Sequence, residues 1–204
     1  MSSGPAPLTC ARAVRDEVVA YCRRFDPEPA HALHVAHIAL RLFDKLKNAG
    51  LHAITEPYRV LLEYGCILHD IGWSDGQKKH HKRAFSMIRE AQLPLSPEEM
   101  HIVALVARYH RKAEPGCQPE FQALAEPLRD IVSRLAAIIR IADGLDRLND
   151  QTITVRNITV RETVVEIGVA GASLRLIPEQ VLAKKTAYFK KAFALPAQIV
   201  AVSG

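Results

Sequence analysis

His69 and Asp70 are neighbours, and Leu61, Leu62, Cys66, Ile67 and Leu68 lead into them. On a helix, adjacent side chains project about 100° apart, so this imidazole and carboxylate can reach one cation where the helix end faces a cavity. A carboxylate at the end of a buried run needs a compensating partner, and a divalent metal is a common one. A capped helix end is the plainer reading of the dipeptide alone. Other metal-competent side chains stand at comparable places. His31 continues the stripe Val35, Ile38, Ala39, Leu42 and Leu46, with His34 at its edge and His37 well off it. His80 extends the stripe Ala84, Met87, Ile88 and Ala91, whereas His81 is rotated about 100° away. His110 shares a side with Val103, Val106 and Ala107, and His101 lies roughly opposite. Asp143 follows Val132, Ala136 and Ile139, and Arg147 at i+4 offers a plain ion pair as the metal-free explanation. Each of these taken singly reads as a satisfied core group. Five helices each ending an apolar stripe on such a residue point to a shared centre.

The elements that must position these residues are mostly helical. Apolar periodicity predicts a helix from near Leu8 to before Pro27 and a second from Glu28-Pro29 to Asn48, stopped by Gly50. A third runs from Thr55 through His69-Asp70, with Pro57 in its first turn and Gly72 and Gly76 as breaks. Further helices are expected over 78–92, from Ser96-Pro97 to about Lys112, and over 121–148 in two pieces broken at Pro127. Residues 1–7 read as loose, and 113–119 as a connector. After Asn149 the pattern becomes β-branched and alternating. Strands are expected at 152–159, 163–169 and 173–177, then a helix at 178–193 and a strand at 198–202. The fold class is therefore mainly α, a helical domain over 1–150 with a small α+β appendage over 151–204. The appendage shows no constellation that suggests chemistry.

Composition narrows the class. The 204 residues are 49% hydrophobic, ample for a real core. No apolar run approaches ~18–20 residues, so no membrane span is expected. Residues 1–8 lack a basic region followed by an apolar core, so a cytoplasmic protein is expected. Cys10, Cys22, Cys66 and Cys117 share no metal-binding spacing and read as reduced thiols. The net charge of +5 is modest. Basic residues gather at 78–83, at 108–112 and at Lys184, Lys185, Lys190 and Lys191; the last group reads as solvated surface. No nucleic-acid-binding motif and no aromatic-basic interleaving is present. Exposed edge strands in the appendage raise the expectation of a homodimer.

The order His31, His69-Asp70, His80, His110, Asp143 resembles the HD superfamily of metal-dependent phosphohydrolases, all-helical proteins that bind one or two divalent ions. The resemblance is closer still to the C-terminal half of the Ppx/GppA exopolyphosphatase family, from about Val19 to Val202. It rests on 31–44, beginning His31-Ala32, on Leu68-His69-Asp70-Ile71-Gly72, and on His80-His81-Lys82. It continues through Ala107-Arg108-Tyr109-His110-Arg111-Lys112 and Ile141-Ala142-Asp143-Gly144-Leu145-Asp146-Arg147. In the HD pattern the first His precedes a Val by four residues, which implies His31, with His34 as the alternative. The resemblance implies that His69, Asp70 and Asp143 complete a first metal set. It also implies that Asp70 bridges to a second ion held by His80 (or His81) and His110. That family's glycine-rich phosphate loops, carried by paired actin-like domains, are missing here. The expectation is a free-standing HD domain with its tail, unable to split polyphosphate by that route.

The activity so implied is hydrolysis of a phosphoester or phosphoanhydride in a small anionic substrate, nucleotide-like or polyphosphate-like. Asp70 serves both metal and chemistry, and Lys82, Arg111, Lys112 and Arg147 are candidate phosphate clamps, Arg being suited to bidentate contact. Mixed N/O ligation suits Mn²⁺, Fe, Zn²⁺, Ni²⁺ or Mg²⁺. The alternative is a regulatory module that binds metal or a phosphorylated ligand without turnover.

Overall fold

Proline and capping residues decide where the helices begin. The computed structural model describes residues 8–75, 78–111 and 115–203. Helix α1 spans Leu8–Phe25, α2 Pro29–Asn48 and α3 Glu56–Ile67. Pro29 and Pro57 lie in the first turns of α2 and α3, where a missing N–H costs little. A 3₁₀ turn, Ile71–Asp75, leads toward α4, His80–Glu90. Helix α5, Pro97–Arg108, opens on a capping box: Ser96 Oγ accepts from the Glu99 N–H, and the Glu99 carboxylate accepts from the Ser96 N–H. A short α6, Pro119–Gln122, precedes α7, Glu126–Leu145. The break in the 121–148 segment falls at 123–125. Pro127 sits inside the first turn of α7, where proline is tolerated.

The core is the set of apolar stripes read from the sequence. Val35, Ile38, Ala39, Leu42 and Leu46 of α2 are fully buried, as are Val132, Ala136, Ile139 and Ala142 of α7. Helix α2 packs on α3 and α7, and α5 packs on α3 and α4. No helix among the described residues is long and apolar enough to cross a membrane. Cys22, Cys66 and Cys117 are free thiols, the first two buried.

The C-terminal segment forms a mixed three-stranded sheet. Strands β1, Thr154–Val160, and β2, Val165–Ala170, are antiparallel, with Ile158 opposite Ile167 and a bulge between Val155 and Asn157. The segment expected as a third strand, 173–177, is instead a 3₁₀ turn, Leu174–Leu176. Its amides bond locally, Leu174 N–H to Gly171 and Leu176 N–H to Ser173, which leaves them no ladder to join. The helix expected over 178–193 is two pieces, α8 Glu179–Thr186 and α9 Phe189–Phe193. They form the crossover that lays β3, Ala197–Ala201, parallel to β2. Both α8 and α9 pack on α7, and β1 packs on α2.

Candidate metal centre

Turns just beyond helix ends carry His69, Asp70 and His110, while His31, His80 and Asp143 lie on helices. Helix α3 ends at Ile67, so His69 and Asp70 stand in the turn beyond it, not on the helix. The Leu68 N–H closes the helix on the Tyr64 carbonyl, and the chain then enters the 3₁₀ turn. His110 likewise follows the end of α5 at Arg108. Gly72 makes this approach possible. A β-carbon there would stand 2.3 Å from the His80 carbonyl oxygen, so only glycine lets the turn abut α4. Arg83 Nε donates to the Gly72 carbonyl across 2.8 Å and fixes the contact.

The histidines share a pattern that sequence does not reveal. His69 Nδ1 donates to the Cys66 carbonyl at 2.7 Å, and His110 Nδ1 to the Ala107 carbonyl at 2.6 Å. His31 Nδ1 donates to Asp146 Oδ2 at 2.8 Å. With each Nδ1 engaged, the Nε2 atoms point inward. His31 Nε2 is 3.6 Å from Asp143 Oδ1. His69 Nε2 is 3.7 Å from the same oxygen and 3.4 Å from Asp70 Oδ2. His110 Nε2 is 3.6 Å from Asp70 Oδ1. His80 Nε2 lies 3.1 Å from Asp70 Oδ1 and 3.2 Å from His110 Nε2.

Among the described residues two overlapping donor sets result, His31–His69–Asp143 and His69–Asp70–His110, each with its ligand atoms within 4.8 Å of one another. Among the described residues, buried His69 Nε2 has no hydrogen-bond partner, and Asp70 Oδ1 makes no well-aligned bond although His80 Nε2 stands 3.1 Å away. Orphaned atoms of this kind, facing carboxylates and backed by fixed Nδ1–H donors, suit a divalent cation. The residues present therefore fit a metal.

Electrostatics agree. Burial alone would raise the Asp70 carboxyl, but His69, His80 and His110 hold it well below the usual carboxylate range. Asp143 is held low in the same way by Lys185, His31 and His69 against the effect of its burial. Burial would lower His31, yet Asp143 and Asp146 lift it to about 10. Burial and the His69 charge push His110 well below its ordinary value.

These groups open into a cavity of about 660 Å³. Arg111 and Arg147 line it, whereas Lys82 is exposed and outside the lining. Lys112 lies outside the described residues. His34 is not among the converging groups; its Nε2–H donates to the Ile153 carbonyl at 3.0 Å and ties α2 to the chain just before β1. His37 is exposed. His101, placed on the surface by its spacing, is half-buried, with Nε2 3.1 Å from the Glu120 carbonyl. His81 is half-buried one layer behind His80, their ring centroids 5.9 Å apart, and burial and the His80 charge lower it to about 4.

Other site residues escape the sequence reading. Arg147 does not pair with Asp143 as its i+4 spacing suggests, because α7 ends at Leu145 and helical spacing stops there. The partner is Lys185 of α8, whose Nζ donates to Asp143 Oδ2. Lys184 also lines the cavity, so the appendage does reach the site. Asp146, quoted above only within a motif, is the buried partner of His31. Asp26, Trp73 and Arg140 complete much of the wall. Trp73 leans on the His80 ring at 5.1 Å, and Arg140 Nε donates to the Tyr109 carbonyl. A buried aspartate three residues after Asp143 was a legible signal; Lys185, 42 residues away, gave none.

Comparison with known families matches residues 14–186 to the family described as Ppx/GppA phosphatase, domain III. No curated protein matches the chain.

Proposed function

The chain belongs to the Ppx/GppA phosphatase family through its domain III, and we propose that it is an HD-type, metal-dependent phosphohydrolase acting on a phosphoester or phosphoanhydride. One observation carries the reading: the Nε2 atoms of His31, His69 and His110 converge on the Asp70 and Asp143 carboxylates inside a cation-rimmed cavity. His31, His69, Asp70 and Asp143 would hold one divalent ion, and His110 with His80 a second, His81 being the reserve. When bound, such an ion supplies Lewis acidity, making water a nucleophile near neutral pH and offsetting charge on phosphoryl oxygens.

The protein's own groups do the rest. Asp146 and the Cys66 and Ala107 carbonyls lock imidazole orientation, so the ligand atoms are placed before any ion arrives. Arg111 and Arg147 offer bidentate donors for a small anionic phosphorylated substrate. Val181 and Trp73 give the cavity an apolar wall that limits water around that substrate.

Metal content per chain, measured by mass spectrometry on wild type and Asp70→Ala, tests the reading together with phosphate release from a panel of esters and anhydrides. One or two equivalents lost in the variant, with metal-dependent turnover in wild type, support it. Metal without turnover on any substrate favours a binding module. Full turnover in metal-free Asp70→Ala overturns it.

A further inference from the structure

Helix α8 sends one residue into the centre. Lys185 Nζ donates to Asp143 Oδ2 and stands 3.5 Å from the His110 carbonyl, with the side chain 21% exposed. The α7 surface is shaped to let it through. A β-carbon at Gly144 would lie 2.6 Å from Lys185 Cγ and 3.0 Å from its Cβ. Glycine inside a helix costs about 1 kcal/mol relative to alanine. Gly144 lies in the last turn of α7, and its backbone is not in the left-handed region that favours glycine. Room for the lysine stem accounts for it.

We propose that Lys185 is the resident counter-cation of this centre, holding Asp143 when no divalent ion is bound and competing with that ion for the carboxylate. The proposal rests on the metal reading of the site. Its physical basis is charge: Asp143 is a half-buried carboxylate facing the cavity, and a cation offsets its charge in either state. Lysine suits the exchange because its ammonium is a compact charge on a flexible stem, able to withdraw into the cavity that the side chain already lines. The ammonium sits on Asp143 Oδ2 while His31 and His69 face Oδ1, so an ion among those ligands and the ammonium share one carboxylate and repel each other across it. Their binding is therefore linked with opposite sign.

The test is Mn²⁺ titration by calorimetry on the metal-free full chain, comparing wild type, Lys185→Met and Gly144→Ala, with thermal melts in chelator. Lys185→Met is expected to melt lower in chelator, to bind Mn²⁺ about tenfold more tightly, and to gain more thermal stability from Mn²⁺ than wild type does. Gly144→Ala, which displaces the stem and keeps the charge, is expected to shift affinity in the same direction by less. Binding by Lys185→Met that equals or falls below wild-type affinity overturns the proposal and leaves the metal centre standing. Binding by neither protein overturns the metal centre and the proposal with it.

Discussion

His31 Nδ1 stands 2.8 Å from Asp146 Oδ2, joining α2 to the residue that closes α7 across 115 positions of chain. Asp146 also accepts the Gln151 N–H at 3.0 Å, so the carboxylate is itself held in place. This pair fixes the rotation of the His31 ring and the direction of Nε2.

Asp146→Asn keeps the shape and removes the charge. It is expected to weaken divalent-metal binding about 10–100-fold, the usual cost of losing such an outer partner, read by competition with a chelator.

His31 and His34 lie one helical turn apart yet differ in role. His31→Ala is expected to lose bound metal, whereas His34→Ala retains it. The latter loses about 1 kcal/mol of stability through its bond to the Ile153 carbonyl. Metal analysis and urea unfolding on the two variants separate these outcomes.

Arg111 and Arg147 line the cavity and Lys82 does not. Alanine at either arginine is expected to raise KM about tenfold or more, as loss of a hydrogen bond to a charged group does. Lys82→Ala is expected to match wild type in steady-state kinetics. A KM rise at Lys82 equal to that at the arginines would contradict the clamp assignment.

Asp150 Oδ1 accepts from the Thr152 N–H, the Thr152 hydroxyl and the Ser173 hydroxyl, tying the chain before β1 to the turn after β2. Its slight burial raises the carboxyl, but these bonds prevail and lower it. A depressed folded value stabilises above the unfolded value, about 3.9, and the benefit is lost as pH falls through the folded one. Asp150→Ala is thus expected to have a lower urea midpoint than wild type at pH 7. The gap should narrow as pH falls below 4.

Much of this was legible without coordinates. The stripes of α2 and α7 are periodic and long, and burial follows such periodicity because an amphipathic helix has only one way to hide its apolar face. Residues 174–176 form a 3₁₀ turn rather than the expected strand because local turn bonds at Gly171 and Ser173 compete with a ladder, and alternation does not register that competition.

The sequence by itself determined the helical class, the boundaries set by proline and caps, and the residue types able to bind metal at the ends of buried stripes. These are local properties, encoded in spacing. Tertiary structure decided which of them meet: His31 over His34, the turn beyond α3 as the seat of His69 and Asp70, and Lys185 rather than Arg147 on Asp143. It also decided the direction of each imidazole, through Asp146 and two backbone carbonyls. Such pairings depend on packing between elements distant in the chain. No period within one helix carries that information.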